Sequence, residues 1–389
     1  MSELTQYLSR NVRQYGIMIA LVAIVVLFQI LTDGLLLVPN NVASLIQQNA
    51  YVMILAIGMV MVIVARHIDL SVGSVVAFVG GVTAILMNSY DVPWLLAVVA
   101  ALVLGALIGC WQGFWVAYVG IPAFIVTLAG MLIFRGLAIV LVGTTVAGLP
   151  RPFNAISNGS LPDVLGYVAN LDVVTLLIGA FAIAGVVIGQ VRSRVAKRKH
   201  DLAVEPFVAF LGRLVVSSGL IAFITYLLAR SAGGTPIVLV IIGVLVIIYS
   251  FVMNRTVFGR HIYAVGGNLQ AAMLSGINTK RVDFMVFVNM GMLAALAGVV
   301  TTSRAGAGVA AAGNMFELDA IAAAFIGGTA VSGGVGKISG AIVGALIMGV
   351  LNMGLSIMAV DPAWQQVIKG LVLLVAVAFD LLSKRRGGR

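Results

Sequence analysis

Residue types that could hold a metal or relay protons are scarce and scattered in this chain. Cys110 is the single cysteine, which excludes a disulfide framework and any metal site built on several cysteines. The three histidines, His67, His200 and His261, lie far apart in the sequence. This spacing predicts neither a metal centre nor a histidine relay.

A glycine-rich run, Gly333–Lys337, has part of the pattern of a phosphate-binding loop. The complete pattern needs a glycine and a Ser or Thr where Val331 and Ile338 stand. The run also follows an apolar segment of helical length rather than a strand, which is the wrong context for such a loop. We therefore expect this chain to bind no cofactor and not to hydrolyse ATP itself.

Two basic residues, Arg135 and Lys369, fall inside long apolar segments. A charge in the middle of a membrane helix costs roughly 2.5–3.5 kcal/mol on insertion scales, so such residues need a reason. One interpretation places them near a transport pathway, facing water or the hydroxyl groups of a solute. The other has them snorkelling to the interface or pairing with backbone carbonyl groups. The sequence leaves both interpretations open.

A second charged group, Arg66, His67 and Asp69, stands at the end of one apolar segment. A proton-coupled carrier could use such a group, because histidine titrates near neutral pH. The alternative, which we favour, is that Asp69 caps the following helix, where the helix dipole favours a carboxylate. No carboxylate is expected deep within any span, and this argues against proton coupling.

Aromatic and amide side chains that suit stacking on a sugar and bonding its hydroxyl groups occur in two places. They are also ordinary packing and interfacial residues, and both interpretations stay open. The first place holds Trp111, Gln112 and Trp115, and the second holds Asn352, Trp364, Gln365 and Gln366.

The composition places all of these residues in a membrane protein. Hydrophobic residues make up 61% of the 389 residues and charged residues only 9%, against about 45–50% and about 25% in soluble proteins. Such a chain cannot cover a globular surface with charge. The net charge of +10 would suggest nucleic acid in a soluble protein, but here we expect no nucleic acid partner and a lipid bilayer instead.

Apolar segments long enough to cross the bilayer predict an all-α integral membrane protein. A crossing needs roughly 20 apolar residues, and fewer inside a bundle. About twelve spans are predicted, near residues 16–31, 40–65, 68–88, 94–117, 123–142, 173–190, 214–229, 236–253, 282–302, 318–331, 338–358 and 364–382.

Basic residues orient the spans, because Lys and Arg are concentrated in cytoplasmic loops. With both termini cytoplasmic, 18 of the 23 basic residues lie inside and three, Arg151, Arg230 and Arg304, lie outside. The outer face then carries more acidic than basic residues. This is either ordinary interfacial charge or a docking surface for a soluble partner. The acidic residues assigned to it are Asp33, Asp91, Asp163, Asp172, Glu317, Asp319 and Asp361.

Three sequence matches in the same order indicate an internal repeat. The matched pairs are 77–84 (AFVGGVTA) with 324–330 (AFIGGTA), 105–108 with 344–347, and 122–124 with 362–364. The corresponding spans run in opposite directions, so the repeat is inverted, which is a signature of alternating-access transport proteins.

The predicted organisation is a ten-helix core with an inserted helical hairpin, all within one transmembrane domain of residues 1–389. Its parts are a first repeat at 40–142, linking and inserted helices at 173–235, a cytoplasmic loop at 254–281 and a second, inverted repeat at 282–382.

The cytoplasmic segment Asn254–Arg281 predicts a short helix on the inner surface. Asn268 suits the N-cap, the next residues continue the helix, and Gly276 suits a left-handed stop. Such a helix is either a handle for a soluble partner or a plain interfacial helix. Its residues are Asn268, Leu269, Gln270, Ala271, Ala272, Met273, Leu274, Ser275 and Gly276.

This segment and two other motifs resemble bacterial ABC sugar-importer permeases, in the family of ribose, xylose and galactose permeases. The similarity extends over nearly the whole chain. The run Gly259–Asn278 resembles the coupling loop of that family, and Ile68–Ser74 (IDLSVGS) resembles its signature after the second core helix. A third match is Glu317–Ala323 (ELDAIAA), followed by Gly327–Thr329.

The resemblance implies a permease subunit that is not itself an enzyme. It would form a homodimer, or a closely related heterodimer, in the bacterial cytoplasmic (inner) membrane. Its helix at 268–276 would rest in a groove of a cytoplasmic ATPase, which carries the ATP and Mg²⁺, while an extracytoplasmic binding protein delivers the sugar. ATP-driven closure would push this coupling helix and switch the access of a central path.

The same resemblance implies that the loop from Tyr118 to Pro122 forms part of an inner gate. Together with the residues weighed above, the candidate gate or pathway residues are Tyr118, Pro122, Arg135, Trp364 and Lys369.

Two departures from the family pattern qualify these expectations. The family often has Glu and Arg where Gln270 and Met273 stand, so salt bridges from these positions to the ATPase are not expected. Shorter members have one span between the long outside loop, residues 143–172 here, and the coupling loop. Three spans are predicted in this interval, as though a hairpin were inserted around residues 191–213. The longer form looks most like xylose and multiple-monosaccharide permeases, which makes xylose the first expected sugar.

Three other kinds of protein are alternatives to the importer permease. A proton-coupled secondary sugar transporter fits the inverted repeat, but not the coupling-loop match. A membrane enzyme would need convergent His, Asp or Glu residues at one depth, and no such set can be assembled from the sequence. An assembly or scaffold subunit would behave independently of sugar.

Overall fold

Apolar helices make up most of the chain, as its low charge content requires. The computed structural model describes residues 12–202 and 204–387, in which there are fifteen α-helices, α1–α15, and four short strands. The helices are α1 Val12–Leu31, α2 Pro39–Val64, α3 Val72–Ser89, α4 Trp94–Phe114, α5 Ala123–Val142, α6 Arg151–Asn158, α7 Val173–Lys199, α8 Phe207–Ala229, α9 Ile237–Arg255, α10 Val257–Gly267, α11 Leu269–Leu274, α12 Thr279–Ala305, α13 Phe316–Ile326, α14 Ile338–Ile357 and α15 Pro362–Gly387. The strands are β1 Thr145–Ala147, β2 Tyr167–Val168, β3 Leu171–Asp172 and β4 Ala307–Val309.

Prolines stand at the starts of several long helices. Pro93, Pro122, Pro206 and Pro236 directly precede α4, α5, α8 and α9. Proline fits such a position because its fixed φ is compatible with the start of a helix and it has no N–H group to leave unsatisfied. The starts of α4, α5 and α9 lie within one residue of the predicted positions, whereas α8 begins seven residues before the predicted residue 214.

Nine helices in the described part of the chain are long and apolar enough to cross a membrane, and α1 is a shorter apolar helix. The nine are α2, α3, α4 with the π-helical turn Trp115–Val119, α5, α7, α8, α9, α12 and α14. The predicted all-α, multi-pass membrane protein is confirmed. The number of crossings, the side of each terminus and the inverted repeat stay predictions.

The predicted span at 318–331 is wrong in its extent. Here α13 has 11 residues and is about 16 Å long at 1.5 Å per residue, far short of the roughly 30 Å of a bilayer core. Irregular backbone follows it up to Lys337. By contrast, the segment predicted at 214–229 is the 23-residue α8, which is long enough to cross.

The core of the bundle is built around α2. Its residues from Val52 to Val64 are all almost completely buried, because this part of the helix is apolar on every side and α2 packs against α12, α13 and α14. Beside it, α4 and α12 approach closely through glycines. A Cβ atom on Gly109 would overlap the carbonyl oxygen of Phe287, so only glycine permits this helix spacing.

Two long helices are followed by irregular backbone that meets inside the bundle. After α2, residues 65–71 run without helix to α3, and after α12, residues 306–315 lead to α13, irregular except for the three residues of β4. Gly73 and Gly313 touch at this point, where a Cβ on either residue would overlap the other's backbone. Irregular backbone at membrane depth is tolerated only where protein or a water-filled cavity surrounds it.

The two ends of the bundle differ. At one, called here the α11 end, α10 and α11 lie beside the C-terminus of α2. At the other, called the sheet end, β1 and β4 form an antiparallel pair, and α6 packs against the end of α12. The predicted inserted helices are α7 and α8, whose connecting turn is held by an ion pair between Arg213 and Glu205 at 2.6 Å.

Candidate functional site

The short helix predicted on the surface is present as α11. The side chain of Asn268 accepts a hydrogen bond from the backbone N–H of Ala271 at 3.0 Å, as an N-cap does. Ser275 ends the helix, and Gly276 has φ +80°, the left-handed conformation that favours glycine. The cap and the stop that were read from the sequence are therefore confirmed.

The side chains of α11 fall into two groups. Ala272 is only 4% exposed and packs into the bundle, so it anchors the helix and cannot be part of an outer contact surface. Leu274 is 90% exposed and Met273 is 57% exposed. An apolar leucine this exposed, on the same short helix as an exposed methionine, suits a protein contact better than water.

Backbone contacts attach α10 and α11 tightly to the interior of the bundle. A Cβ on Gly266 would overlap the carbonyl oxygen of Val64, at the end of α2. The N–H of Gly334 donates to the same carbonyl oxygen at 2.9 Å. Three segments, namely α10, the end of α2 and the loop before α14, therefore meet at one point.

A tyrosine reinforces this junction. The hydroxyl of Tyr263 in α10 donates to the carbonyl oxygen of Gly336 at 2.7 Å. Burial raises the pKa of Tyr263 above its ordinary value, so the hydroxyl stays protonated and remains a donor near neutral pH. Displacement of α10 and α11 would therefore reach the loop that leads into α14.

The predicted group Arg66, His67 and Asp69 is not one site. The Nε of Arg66 donates to the carbonyl oxygen of Ser332 at 3.1 Å, and the Nε2 of His67 lies 3.2 Å from the Oδ1 of Asp283. Asp69 turns inward instead and is buried.

The expected helix cap by Asp69 is wrong in detail. Its Oδ1 accepts from the N–H of Ser71 at 2.8 Å and from the Ser71 hydroxyl at 2.6 Å, in the turn just before α3. Gln112 in α4 donates to the same hydroxyl at 2.7 Å. The carboxylate therefore organises the irregular segment rather than the first turn of α3, and Gln112 is a packing residue.

Arg135 pairs with backbone carbonyl groups. Its Nη1 donates to the carbonyl oxygen of Ala310 at 3.1 Å and to that of Ala312 at 2.6 Å. This is one of the two arrangements that the sequence left open. The guanidinium thereby satisfies two carbonyl groups of the non-helical segment between α12 and α13.

Lys369 and Asp319 form an ion pair inside the bundle. The lysine Nζ lies 3.3 Å from Oδ1 and 3.4 Å from Oδ2 of Asp319, and the hydroxyl of Tyr51 donates to Oδ2 at 2.8 Å. The ring of Phe316 stacks on that of Tyr51, with 3.5 Å between the centroids. Three helices, α2, α13 and α15, are thus joined by one buried carboxylate.

The assignment of Asp319 to the outer face is wrong. Its side chain is 3% exposed and bonds Tyr51, the thirteenth residue of the 26-residue α2, so it lies beside the middle of this helix, a position called half depth below. The expectation that no carboxylate lies deep within the spans fails with it, because Asp319 is buried beside the middle of α2. Sequence analysis missed Tyr51 as well, although a tyrosine directly before the uninterrupted apolar run Val52–Val64 could have marked it.

Of the remaining candidates, Gln365 and Gln366 lie in α15 near Lys369 and border the same cavity as Asp319. The others do not border this cavity. Tyr118 belongs to the π-helical turn that ends α4 and contacts Phe284, while Pro122 precedes α5. Trp364, in the first turn of α15, is 65% exposed. Asn352 donates to the side-chain oxygen of Asn49 at 2.9 Å, which makes it a packing residue. Within the described residues, no group of three or more His, Cys, Asp or Glu side chains could hold a metal ion.

Comparison with known proteins identifies the family. Residues 40–377 match the family described as the permease component of branched-chain amino acid transport systems. The chain is 42% identical to the xylose transport system permease protein XylH of Escherichia coli K12, over 97% of this chain and 94% of the relative. It is 38% identical to XylH of Haemophilus influenzae, over 97% and 98% of the two chains.

A third relative is the ribose import permease protein RbsC of Escherichia coli K12, which is 34% identical over 93% of this chain and 92% of the relative. No solved structure matches the chain. The resemblance read from the coupling-loop motif is confirmed by these matches, which extend over nearly the full length of both partners. This chain therefore belongs to the family of membrane permease components of such transport systems.

Proposed function

We propose that this chain is the membrane-spanning permease subunit of an ATP-driven importer for a monosaccharide. The observation that carries the proposal is the 42% identity to the xylose permease XylH over 97% of the chain. The ribose permease RbsC is less similar, at 34%, so a pentose like xylose is the first candidate. The family description names branched-chain amino acids, but the relatives that match over nearly the whole chain transport sugars.

The partners follow from the same relationship. The permease would pair with a second copy, most simply as a homodimer, in the bacterial inner membrane. A separate cytoplasmic ATPase would bind ATP and Mg²⁺, and an extracytoplasmic binding protein would deliver the sugar. This chain contributes the path and the coupling surface, and no catalytic step.

The coupling helix of this proposal is residues 268–276. Its exposed apolar side chains, Leu274 and Met273, suit a groove on the ATPase, and its buried Ala272 transmits force to the bundle. The junction of Gly266, Val64 and Gly334 then carries a displacement to the ends of α2 and α14. Because both helices lie in the core, a push at the surface would change the packing of the interior.

The gate and pathway residues of the proposal are Tyr118, Pro122, Arg135, Trp364 and Lys369. Tyr118 and Trp364 are exposed, Tyr118 in the turn that ends α4 and Trp364 in the first turn of α15. Lys369 follows Trp364 by five residues in α15. Arg135 would act indirectly, by holding the irregular segment 306–315 in place.

A proton-coupled sugar transporter is the second candidate, and one observation favours it. Asp319 is a buried carboxylate at half depth with a tyrosine and a lysine as partners, which is the kind of group that proton-coupled carriers use. Collapse of uptake after addition of a protonophore, with the ATP level held constant, would support this alternative.

The test of the importer is ATP hydrolysis in liposomes that contain this chain together with its ATPase. Binding protein is added empty, with xylose, with ribose or with leucine. We expect stimulation by the xylose-loaded protein and sugar accumulation that stops without ATP. Stimulation only by the leucine-loaded binding protein would show that the substrate is an amino acid rather than a sugar. An ATP hydrolysis rate that does not change when this chain is present would refute the importer.

A further inference from the structure

A cavity opens between the start of α13 and the first turns of α15. Its volume is about 240 Å³, just below the range of about 300–1,000 Å³ of pockets for drug-sized ligands. A monosaccharide, with one ring, is smaller than such ligands. The size of the cavity therefore suits a single sugar.

Both partners of the Asp319–Lys369 ion pair line this cavity. Asp319 is 3% exposed and uses its Oδ2 to accept from Tyr51, which leaves further lone pairs for another donor. The distances of 3.3 and 3.4 Å from Lys369 to the carboxylate exceed the roughly 2.7–2.9 Å of tight charge-assisted bonds. The lysine has three N–H donors, and this loose pair leaves donors for a third group.

The charge of the site selects the class of ligand. An aspartate and a lysine together carry no net charge, so neither an anion nor a cation is favoured over the other. A hydroxyl group donates and accepts at once, and two neighbouring hydroxyl groups can bond the carboxylate with one and the ammonium with the other. Sugars present such pairs of hydroxyl groups around a ring.

The rest of the lining fits the same ligand. Amide side chains of Asn314, Gln365 and Gln366 add both donors and acceptors at the edge of the cavity. Met348 and Leu373 supply apolar surface, against which the C–H face of a sugar ring can pack. A pocket with mostly apolar walls and a few convergent polar groups is the usual form of a small-molecule site.

We propose that this cavity is a monosaccharide-binding subsite of the permease, in which Asp319 accepts from one sugar hydroxyl and Lys369 donates to its neighbour. The inference rests on the proposed function and adds to it a site at which the sugar binds transiently during its passage through the membrane. It also explains the position of a charged pair at half depth, where a purely structural contact would be costly.

The test is direct binding of xylose to the purified chain in lipid nanodiscs, with no binding protein present. Saturation-transfer NMR measures the binding. We expect millimolar binding by the unaltered chain and a loss of at least about tenfold in Lys369→Met, since a bond to a charged group is removed. Lys337→Met removes a lysine that does not line the cavity and should bind normally.

A second variant tests the subsite in case Lys369→Met does not fold. Gln366→Ala changes an exposed amide at the rim of the cavity, leaves the ion pair intact and should weaken binding by a few-fold with unchanged thermal stability. Unchanged binding in both variants, or no xylose binding by the unaltered chain while ATP-driven uptake is normal, would overturn the subsite and leave the importer standing. Uptake that does not depend on ATP would instead overturn the proposed function, whatever the binding result.

Discussion

The hydroxyl of Tyr263 in α10 and the carbonyl oxygen of Gly336, before α14, are joined by a 2.7 Å hydrogen bond. The two residues are 73 positions apart in the chain. Through this bond and the adjacent contact of Gly266 with Val64, the surface segment that carries α11 is attached to two core helices. The bond is therefore suited to pass a displacement of α11 into the membrane.

Replacing Tyr263 by phenylalanine tests this transmission. We expect Tyr263→Phe to fold, since one hydrogen bond contributes only about 0.5–1.5 kcal/mol, but to move less sugar for each ATP hydrolysed. The matched control is Tyr249→Phe, which removes a 2.6 Å bond to Asn289 within the bundle and should leave that ratio unchanged. Equal ratios in all three proteins would show that the bond does not transmit force.

The effect of Tyr263→Phe should not depend on pH near neutrality. Burial raises the pKa of Tyr263, so the protonated hydroxyl is present in the folded state below the ordinary tyrosine pKa of about 10. Its contribution is lost only as the pH rises through the raised pKa. The amount of sugar transported per ATP hydrolysed should therefore differ between the unaltered chain and Tyr263→Phe by the same factor from about pH 6 to about pH 9.

The exposed side of α11 provides a test of the docking surface. We expect Leu274→Asp to abolish binding of the ATPase without lowering thermal stability, because the side chain is 90% exposed and a charge in an apolar groove is costly. Val257→Asp changes another exposed apolar residue at the same end of the bundle and should bind the ATPase normally.

Ala272→Arg is a poor substitute for that test. It would place an arginine on a buried side chain, so loss of uptake would report on folding rather than docking. Co-purification of the ATPase and a melting curve in detergent distinguish the two effects. Full ATPase binding by Leu274→Asp would remove this residue from the coupling surface.

The close approach of α4 and α12 predicts a strong effect at a single glycine. Gly109→Ala should lower the free energy of unfolding by roughly 1–3 kcal/mol, because the new methyl group would overlap the backbone of Phe287. Gly136, in α5, has open space where a Cβ would lie, so Gly136→Ala should be neutral or slightly stabilising. Unfolding by denaturing detergent measures both, and similar values would contradict the tight packing of these helices.

Arg135 distinguishes a structural role from a pathway role. We expect Arg135→Met to lower the melting temperature, since the carbonyl groups of Ala310 and Ala312 lose their charged donor, and Arg135→Lys to restore part of the loss. The KM for the sugar-loaded binding protein should stay the same in the variants that fold. A changed sugar preference with normal stability would show instead that Arg135 lines the path.

Much of the architecture could be predicted because the signals are local. Apolar runs mark the helices, prolines mark the starts of α4, α5, α8 and α9, and Asn268 with Gly276 delimits α11. Each of these features depends on residues within a few positions of one another. Such patterns act through backbone geometry and burial alone, so they are visible before any tertiary contact is known.

Tertiary structure decided which side chains meet. Asp319 looked like an outer-face residue because an apolar segment follows it, but α13 begins near half depth and brings it to Tyr51, 268 positions away. The same applies to α11, whose pattern located the helix but could not show that Ala272 faces the bundle and Leu274 faces outward. Arg135 had two open interpretations until the irregular segment 306–315 was placed beside it.

The sequence by itself thus determined the class of protein, most of its helices, the capped surface helix α11 and the family. Only the packing of the helices decided that Asp319 and Lys369 lie within the bundle, pair with each other and line one cavity. The physical reason is that hydrophobicity and helix capping are properties of neighbouring residues, whereas an ion pair such as Lys369 with Asp319 depends on how distant segments are arranged in space.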